Sequence, residues 1–236
     1  MNDSTAGHQR WPISVFVLTC LPVAIILIKL VFDQQQVHKK LSCEQLLPIF
    51  EAFDRDSSFN PRSTLLLGGE RVMPLGKNPA FWGRSAPTIR SHPHLKLASI
   101  EDCFERAIAY YRPNTVIFWL EDQVIDEPVE NVTRALLTVR EQADFYGVAP
   151  TIHIVLPPLT PARVKDKGKY RSFAATLTEW QRSKPGLNTI DLSDALAGGS
   201  EQPQAAIFWP DGKRLNDEGY KRVTALLSTS INKKPI

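Results

Sequence analysis

The chain has few cysteines and little net charge. Its three cysteines, Cys20, Cys43 and Cys103, have spacings that match no metal site, and we expect neither a metal nor another cofactor. The formal net charge of +3 is small and dispersed over 236 residues, which argues against nucleic acid as a partner. Cys43 and Cys103 either form one disulfide in an oxidising compartment or remain two buried thiols.

The sequence has one long hydrophobic run, near its N-terminus, and no small-x-small cleavage site after it. Residues 11–28 are apolar except for Ser14, Thr19 and two prolines, and Lys29 separates them from three further apolar residues. This is barely enough to span a bilayer, which needs about 20 residues. Because no cleavage site follows, an uncleaved anchor is favoured over a signal peptide. We predict a tail over 1–10, a transmembrane helix over 11–32, a juxtamembrane linker and helix over 33–62, and a domain over 63–236.

The domain alternates short apolar strands with one-sided helices. Strands are predicted at the start of 63–72 and over 115–120, 151–156 and 187–192, and helices over 41–53, 100–111, 129–146, 172–184 and 219–230. Loops are predicted over 73–93, 163–170 and 195–204. Pro48 fits the first of these helices only in its first turn. Nearly all-apolar strands between helices predict a three-layer α/β/α sandwich around a central parallel sheet, of the flavodoxin-like type.

The most specific motif is the stretch Phe208-Trp209-Pro210-Asp211-Gly212-Lys213-Arg214-Leu215-Asn216-Asp217-Glu218-Gly219-Tyr220. It resembles the last sequence block of the SGNH/GDSL hydrolases, Pro-Asp-Gly-x-His-Leu-Asn-x-x-Gly-Tyr, which carries their catalytic Asp and His. The resemblance extends from residue 63 to the C-terminus in the order of elements, although only this block is specific. It implies an SGNH-hydrolase-like domain.

The resemblance also implies that the catalytic groups of the family have been replaced in this chain. The positions of the family's Ser, oxyanion Gly, oxyanion Asn and His correspond here to Glu70, Ala98, Glu121 and Arg214, and only the acid is kept, as Asp211. An esterase of this type needs a hydroxyl activated by a histidine. A carboxylate at the oxyanion position would repel the negative charge that develops there. The chemistry of ester hydrolysis is therefore predicted to be lost.

The same comparison predicts where a ligand would bind. The candidate residues follow the first and third predicted strands or belong to the last block and a loop beside them: Gly68, Gly69, Glu70, Arg71, Trp82, Glu121, Asp122 and Arg214. We expect Arg214 to bridge Glu70 and Glu121, because two carboxylates without a cation would destabilise each other. Such a cluster either plugs the old catalytic pocket or binds a ligand. For Trp82, anchoring the loop is the alternative to lining a cleft.

Other polar residues are weaker candidates. Ser85 or Ser99 with His92 or His94 could form a displaced triad, but no acid is placed beside them. A metal site at His92 and His94 lacks a third ligand, so a solvated loop is favoured. His153 lies within an apolar strand, and we expect a packed core histidine.

Three functions remain open. The first is a membrane-anchored pseudoenzyme that binds an envelope protein or a polysaccharide, as the family's role in cell-wall acylation implies. The second is a serine esterase or acyl transferase with a displaced nucleophile, and the third is a glycoside-acting enzyme that uses Glu70 and Glu121 as acid and base. Basic residues after the anchor favour a cytoplasmic domain by the positive-inside rule, whereas the family's anchored members favour an extracytoplasmic one. We predict the first function, on the periplasmic or extracytoplasmic side.

Overall fold

A computed structural model describes residues 26, 41–56, 59, 62–82, 86–200 and 202–232. Within these residues no helix is both long and apolar enough to cross a membrane. The predicted anchor over 11–32 lies, except for residue 26, outside the described part of the chain. The residues from Lys40 onward form one compact unit.

The centre of this unit is a five-stranded parallel sheet with the strand order β2-β1-β3-β4-β5. The strands are β1 (Thr64–Gly68), β2 (Thr88–Ser91), β3 (Thr115–Trp119), β4 (Thr151–Val155) and β5 (Leu187–Ile190). This order is that of flavodoxin-like folds. The four predicted strands are confirmed.

Strand β2 corrects the prediction of one long loop over 73–93. Its sequence, Thr88 to Ser91, holds a single large apolar residue, Ile89, so no apolar run marks it as a strand. Arg90 is nevertheless only 2% exposed. Its burial depends on partners from other elements, Asp54 and Tyr111, which local sequence does not reveal.

Eight helices lie among the described residues. They are α1 (Cys43–Asp56), α2 (Met73–Lys77), α3 (Leu97–Asp102), α4 (Phe104–Ala107), α5 (Val129–Phe145), α6 (Lys167–Gln181), α7 (Ser193–Ala197) and α8 (Asp217–Asn232). Single 3₁₀ turns occupy Pro79–Trp82, Ala109–Tyr111, Asp122–Asp126, Pro161–Asp166 and Ala205–Ile207. Pro48 lies inside α1 rather than in its first turn.

Three further predictions of local structure are wrong at their boundaries. The helix expected over 100–111 is broken at Cys103 into α3, α4 and a 3₁₀ turn. The loop expected over 195–204 begins with α7. The loop expected over 163–170 is a 3₁₀ turn and the start of α6, because Arg163 pairs with Asp126 and Asp166 and so orders this segment.

Helices cover both faces of the sheet, as a parallel sheet requires. One core contains side chains of α1, α3, α4, α5 and α6 packed against Leu65, Leu67 and Phe118. The other contains side chains of α2, α7 and α8 packed against Leu66, Ile117 and Trp119. Alternation along β1 and β3 sends successive side chains to opposite cores. The three-layer architecture is thereby confirmed in the described residues.

Helix α1 packs as part of this unit, whereas the sequence grouped it with the juxtamembrane linker. Its Leu46 and Phe50 are fully buried in the first core. A disulfide joins Cys43 at its start to Cys103, which decides between the two states that the sequence left open for these cysteines.

A charged cluster fixes the other end of α1. The Asp54 carboxylate accepts hydrogen bonds from Arg90, Arg106 and the Tyr111 hydroxyl. Burial acts to raise the pKa of Asp54, but the hydrogen bonds from these partners outweigh it and hold that pKa below its usual value. The cluster joins α1 to β2 and α4, so the buried Arg90 guanidinium is paired.

Candidate ligand-binding site

The site begins where β1 ends in two glycines. Gly68 pairs with Trp119 in the neighbouring strand, so the residues that follow β1 and β3 emerge side by side at the carboxyl edge of the sheet. A Cβ on Gly68 would lie 2.4 Å from Val72 Cγ2 and 3.2 Å from the Trp119 carbonyl oxygen. Only glycine fits this close approach of the turn to β3. Glu70 then stands exposed and Arg71 turns inward, 8% exposed.

Arg71 is the central cation of the site. Its Nε and Nη2 donate to the two carboxylate oxygens of Asp122 at 3.1 and 2.5 Å. Its Nη1 donates to the Lys213 carbonyl oxygen at 2.9 Å. One guanidinium thus joins the turn after β1, the segment after β3 and the last sequence block, in the bidentate geometry that favours arginine.

Glu121 lies across the floor of the site. A Cβ on Gly69 would be 2.2 Å from Glu121 Oε1, so the carboxyl group rests against the Gly69 backbone. Oε1 is buried and has no hydrogen-bond partner among the described residues. Burial raises the pKa of Glu121 to about 7, against the lowering effect of the Arg71 charge, while Asp122 and Glu70 raise it further. Near neutral pH this group is therefore a mixture of acid and carboxylate.

The last sequence block forms a tight hairpin that walls one side of the site. Phe208 bridges Leu215 in antiparallel fashion, and the Trp209 N–H donates to the Arg214 carbonyl oxygen at 2.8 Å. Gly212 has φ of 64° at the turn and lies close to Ala162. This left-handed conformation and the lack of space for a side chain both require glycine there.

Arg214 pairs with Asp211 rather than with the glutamates. Its Nε donates to Asp211 Oδ2 at 2.7 Å, and its side chain is 65% exposed. The Lys213 N–H and the Arg214 side chain and N–H hold the pKa of Asp211 at about 2. No hydrogen bond joins Arg214 to Glu70 or Glu121 in the described structure, so the predicted bridge is wrong. Arg71, closer to the sheet, supplies the cation instead.

Tyr220 closes the site beneath the hairpin. Its hydroxyl donates to the Arg71 carbonyl oxygen at 3.1 Å, and burial raises its pKa to about 12. The Phe81 ring stacks on the Tyr220 ring with centroids 5.9 Å apart. These contacts join α8 and the 3₁₀ turn at Pro79–Trp82 to the turn after β1.

Together these elements enclose a cleft of about 690 Å³. Six of the sequence-predicted residues line it: Glu70, Arg71, Glu121, Asp122, Asp211 and Arg214. Gly68 and Gly69 shape the turn beneath it. Ala98 lines a second, adjacent cavity of about 250 Å³ that it shares with Glu121. Trp82 lies in the second hydrophobic core, 7% exposed, and does not line the cleft.

The sequence did not single out several residues that line the cleft, among them Lys77, Asn78, Phe81, Trp209, Lys213 and Tyr220. Trp209, Lys213 and Tyr220 belong to the last sequence block, so its match to the SGNH hydrolases could have indicated them as residues of the site. The sequence did not indicate which of the adjacent Phe81 and Trp82 rings lines the cleft, because neighbouring side chains in a 3₁₀ turn point in different directions. The structure assigns the ring at the cleft to Phe81.

The displaced-triad candidates do not meet at the cleft in the described part of the chain. The His92 and His94 rings lie 5.7 Å apart, and neither lines the cleft. Ser99 is fully buried, and Ser85 lies outside the described residues. His153 is 7% exposed in β4, and burial lowers its pKa, which confirms a packed core histidine.

Comparison of the whole chain with solved structures identifies this architecture. No protein-family model matches the chain, and no curated protein does. A Bacteroides fragilis protein assigned as an acylhydrolase superposes with a TM-score of 0.65 at 16% identity, over 83% of this chain and 99% of its own. The chain has the fold of the SGNH/GDSL hydrolases.

Two other solved structures agree on the SGNH fold. A GDSL-like lipase from Bacteroides thetaiotaomicron gives a TM-score of 0.59 at 14% identity, covering 78% of this chain and 97% of its own. A family 3 carbohydrate esterase from Clostridium thermocellum gives 0.53 at 11% identity, covering 72% and 94%. Of the positions that the SGNH resemblance implied, Glu70, Glu121, Asp211 and Arg214 all line one cleft.

Proposed function

We propose that this chain is a membrane-anchored protein of the SGNH fold that does not hydrolyse esters and instead binds a glycan of the cell envelope in its cleft. The composition of the cleft carries this proposal. Among the described residues that line it there is no serine, threonine, cysteine or histidine. The single hydroxyl, on Tyr220, is held by the Arg71 carbonyl oxygen. The hydroxyl or thiol nucleophile and the histidine base that an SGNH esterase uses are therefore both lacking among these residues.

The charges of the cleft argue in the same direction. The Glu121 carboxyl group rests against Gly69, at the turn where an SGNH enzyme would stabilise an oxyanion, and its negative charge would oppose that role. Arg214 stays protonated at any physiological pH, so it cannot replace a histidine as general base. Asp211 is committed to Arg214 and to two backbone N–H groups.

The remaining side chains suit a carbohydrate. Trp209 is 53% exposed at the rim and offers a flat apolar face, while Glu70, Lys77 and Asn78 supply groups that hydrogen-bond to hydroxyls. Within the described structure, the side chains of Glu70 and Lys77 make no hydrogen bond or ion pair. The similarity to a carbohydrate esterase supports the same ligand class.

An extracytoplasmic location is part of this proposal, and two features support it. The apolar run over 11–32 supplies an anchor, and the Cys43–Cys103 disulfide suits an oxidising compartment. Together they outweigh the basic residues that follow the run. A partner protein in the envelope is the alternative occupant of the cleft.

Fluorophosphonate labelling and p-nitrophenyl acetate turnover test the loss of chemistry. The full chain is expected to show neither, with folding verified by circular dichroism. A labelled serine in the wild type would overturn the proposal and locate a displaced nucleophile by peptide mapping. The variant Glu70→Ser/Glu121→Asn/Arg214→His restores three of the four replaced groups of the family and leaves Ala98 unchanged, so turnover gained by it alone would support the assignment of these three positions.

Glycan binding is tested separately on a glycan array. The wild type is expected to bind, Trp209→Ala is expected to lose binding, and Trp180→Phe, at a tryptophan that does not line the cleft, serves as the control. Binding that survives Trp209→Ala, or absence of any glycan ligand, would remove the carbohydrate assignment.

One observation favours a second function, acid/base catalysis on a glycosidic bond. Glu121 has a pKa of about 7, as a general acid requires, and Glu70 lies in the same cleft. Release of 4-nitrophenol from aryl glycosides, abolished by Glu121→Gln and by Glu70→Gln, would establish this function over simple binding. A wild type inert toward a broad panel of such glycosides would eliminate it.

A further inference from the structure

Three exposed aromatic side chains cluster at a groove far from the cleft. Tyr110 and Tyr146, 52% and 41% exposed, line this groove together with Cys43. Phe145 is 83% exposed, and its ring lies 5.2 Å from that of Tyr146. The groove has a volume of about 700 Å³. We call Tyr110, Phe145 and Tyr146 the aromatic surface.

Two of these rings are held in place. The Tyr146 ring stacks on Phe104 at 5.7 Å, and the Arg106 guanidinium lies 4.2 Å from the Tyr110 ring centroid. Arg106 is itself fixed by Asp54. Tyr110 and Tyr146 are therefore pre-organised, and contact of these two rings with a partner costs little side-chain entropy.

The aromatic surface lies at the opposite edge of the sheet from the cleft. Tyr110 precedes β3 by five residues, and Tyr146 precedes β4 by the same number. In a parallel sheet, residues just before strands lie at the amino edge, whereas the cleft residues Glu70 and Glu121 follow strands at the carboxyl edge. The two functional surfaces face opposite ends of the sheet.

The length of the preceding chain limits how far this edge lies from a membrane anchor. The apolar run ends at Phe32, and the described domain begins at Leu41. The eight residues between them can span about 30 Å at full extension. Cys43 lines the groove, so, if the chain is anchored as proposed above, the groove is within reach of the bilayer surface.

We propose that the aromatic surface rests in the headgroup region of that bilayer and so points the cleft away from the membrane. Tyrosine suits this interface, where its apolar ring and its polar hydroxyl are both satisfied, and the fully apolar Phe145 ring can enter the acyl boundary beneath the headgroups. The acidic groups at the groove, Asp102 and Glu105, are balanced by Arg106 and Arg112. The contact therefore depends on the rings rather than on attraction to anionic lipid.

Fluorescence quenching in nanodiscs tests this orientation. Full-length chain carrying Cys20→Ser receives a bimane label at Phe145→Cys, or at Glu127→Cys, an exposed position after β3 near the opposite edge. Lipids with a shallow doxyl group are expected to reduce fluorescence at position 145 and not at 127. The loss at 145 is expected in pure phosphatidylcholine, and added phosphatidylglycerol or salt should not change it.

Three other outcomes would overturn this orientation or the anchor on which it rests. Equal quenching at both positions, or none at 145, overturns the orientation. Position 145 shielded from aqueous iodide but not quenched by doxyl lipid would mean that a protein covers the aromatic surface, which also overturns it. Flotation of the chain with liposomes is measured in parallel: a chain that fails to float contradicts the anchor itself, whereas a floating chain without quenching contradicts only this inference. Circular dichroism of each labelled variant verifies its fold.

Discussion

The Glu121 carboxyl group occupies the space that a side chain on Gly69 would need. An added Cβ would lie 2.2 Å from Oε1 and 2.7 Å from Cδ, closer than atoms approach in folded proteins. This contact makes the turn after β1 and the segment after β3 mutually dependent. It also places a carboxyl group at the position that the SGNH resemblance assigns to the oxyanion site.

Gly69→Ala is expected to displace the Glu121 carboxyl group, and because this group is the far end of a flexible side chain, the loss of stability should be about 1 kcal/mol or less. In a Glu121→Ala background the same substitution should be neutral or slightly stabilising, since the clash is gone and alanine restricts the unfolded chain. Urea unfolding of the four proteins in this cycle measures the coupling. Gly168→Ala, in α6 with no atom within 4 Å of its new Cβ, is the control and should not destabilise. Independent effects of Gly69→Ala and Glu121→Ala would contradict the contact.

Glu121 also predicts how stability depends on pH. Its pKa in the folded protein is about 7, above the value of 4.5 for a free side chain. Between these values the folded state binds more protons than the unfolded state, so stability falls as the pH rises through this window. The loss of folding stability caused by ionising the buried Glu121 is absent below pH 4.5 and complete above pH 7. It is about 3 kcal/mol at most.

Glu121→Gln removes this titration. The variant is expected to be more stable than the wild type at pH 8 and nearly equal at pH 5, as measured by urea unfolding at both pH values. Glu130→Gln, on the exposed side of α5, controls for the loss of one surface carboxylate. Its free energy of unfolding should depend on pH as that of the wild type does. A wild type and a Glu121→Gln variant with the same pH dependence would show that Glu121 titrates normally.

The Arg71–Asp122 pair is expected to be the main electrostatic support of the cleft. Asp122→Asn leaves the nearly buried guanidinium without its counter-ion, and we expect a loss of about 2–4 kcal/mol in the free energy of unfolding. Because Arg71 also holds the Lys213 carbonyl oxygen, hydrogen exchange should accelerate in the hairpin from Phe208 to Leu215. Glu179→Gln breaks a largely exposed pair with Arg182 and should cost less than about 1 kcal/mol. Equal effects of the two substitutions would mean that the buried pair gives no special support.

Reduction of the Cys43–Cys103 disulfide is expected to destabilise the domain through α1. The bond closes a loop of 60 residues, for which chain entropy gives about 4 kcal/mol. Urea unfolding with and without dithiothreitol measures this difference. Cys43→Ser/Cys103→Ser should have the free energy of unfolding of the reduced wild type, both with and without dithiothreitol. An effect of the reductant on that variant would show that it acts elsewhere.

The sequence alone determined the architecture of the domain. Most of the predicted strands are nearly all-apolar runs, and α5 carries an apolar stripe of helical period over 129–145, so the burial of these elements between layers could be predicted from local sequence. The last motif likewise showed which fold the elements build. Strand β2 was missed because Arg90, in its centre, is buried through partners that lie 21 and 36 residues away.

The sequence predicted only part of the site, for the same reason. The SGNH resemblance placed Glu70, Glu121 and Arg214 at one site, and all three line the same cleft. It did not show which cation would face the carboxylates. The structure chose Arg71, which reaches both Asp122 and Lys213, while the hairpin geometry turned Arg214 toward Asp211 three residues before it. Hydrophobic periodicity is a local property and fixes elements, whereas the pairing of charges depends on side-chain directions that exist only after the layers have packed.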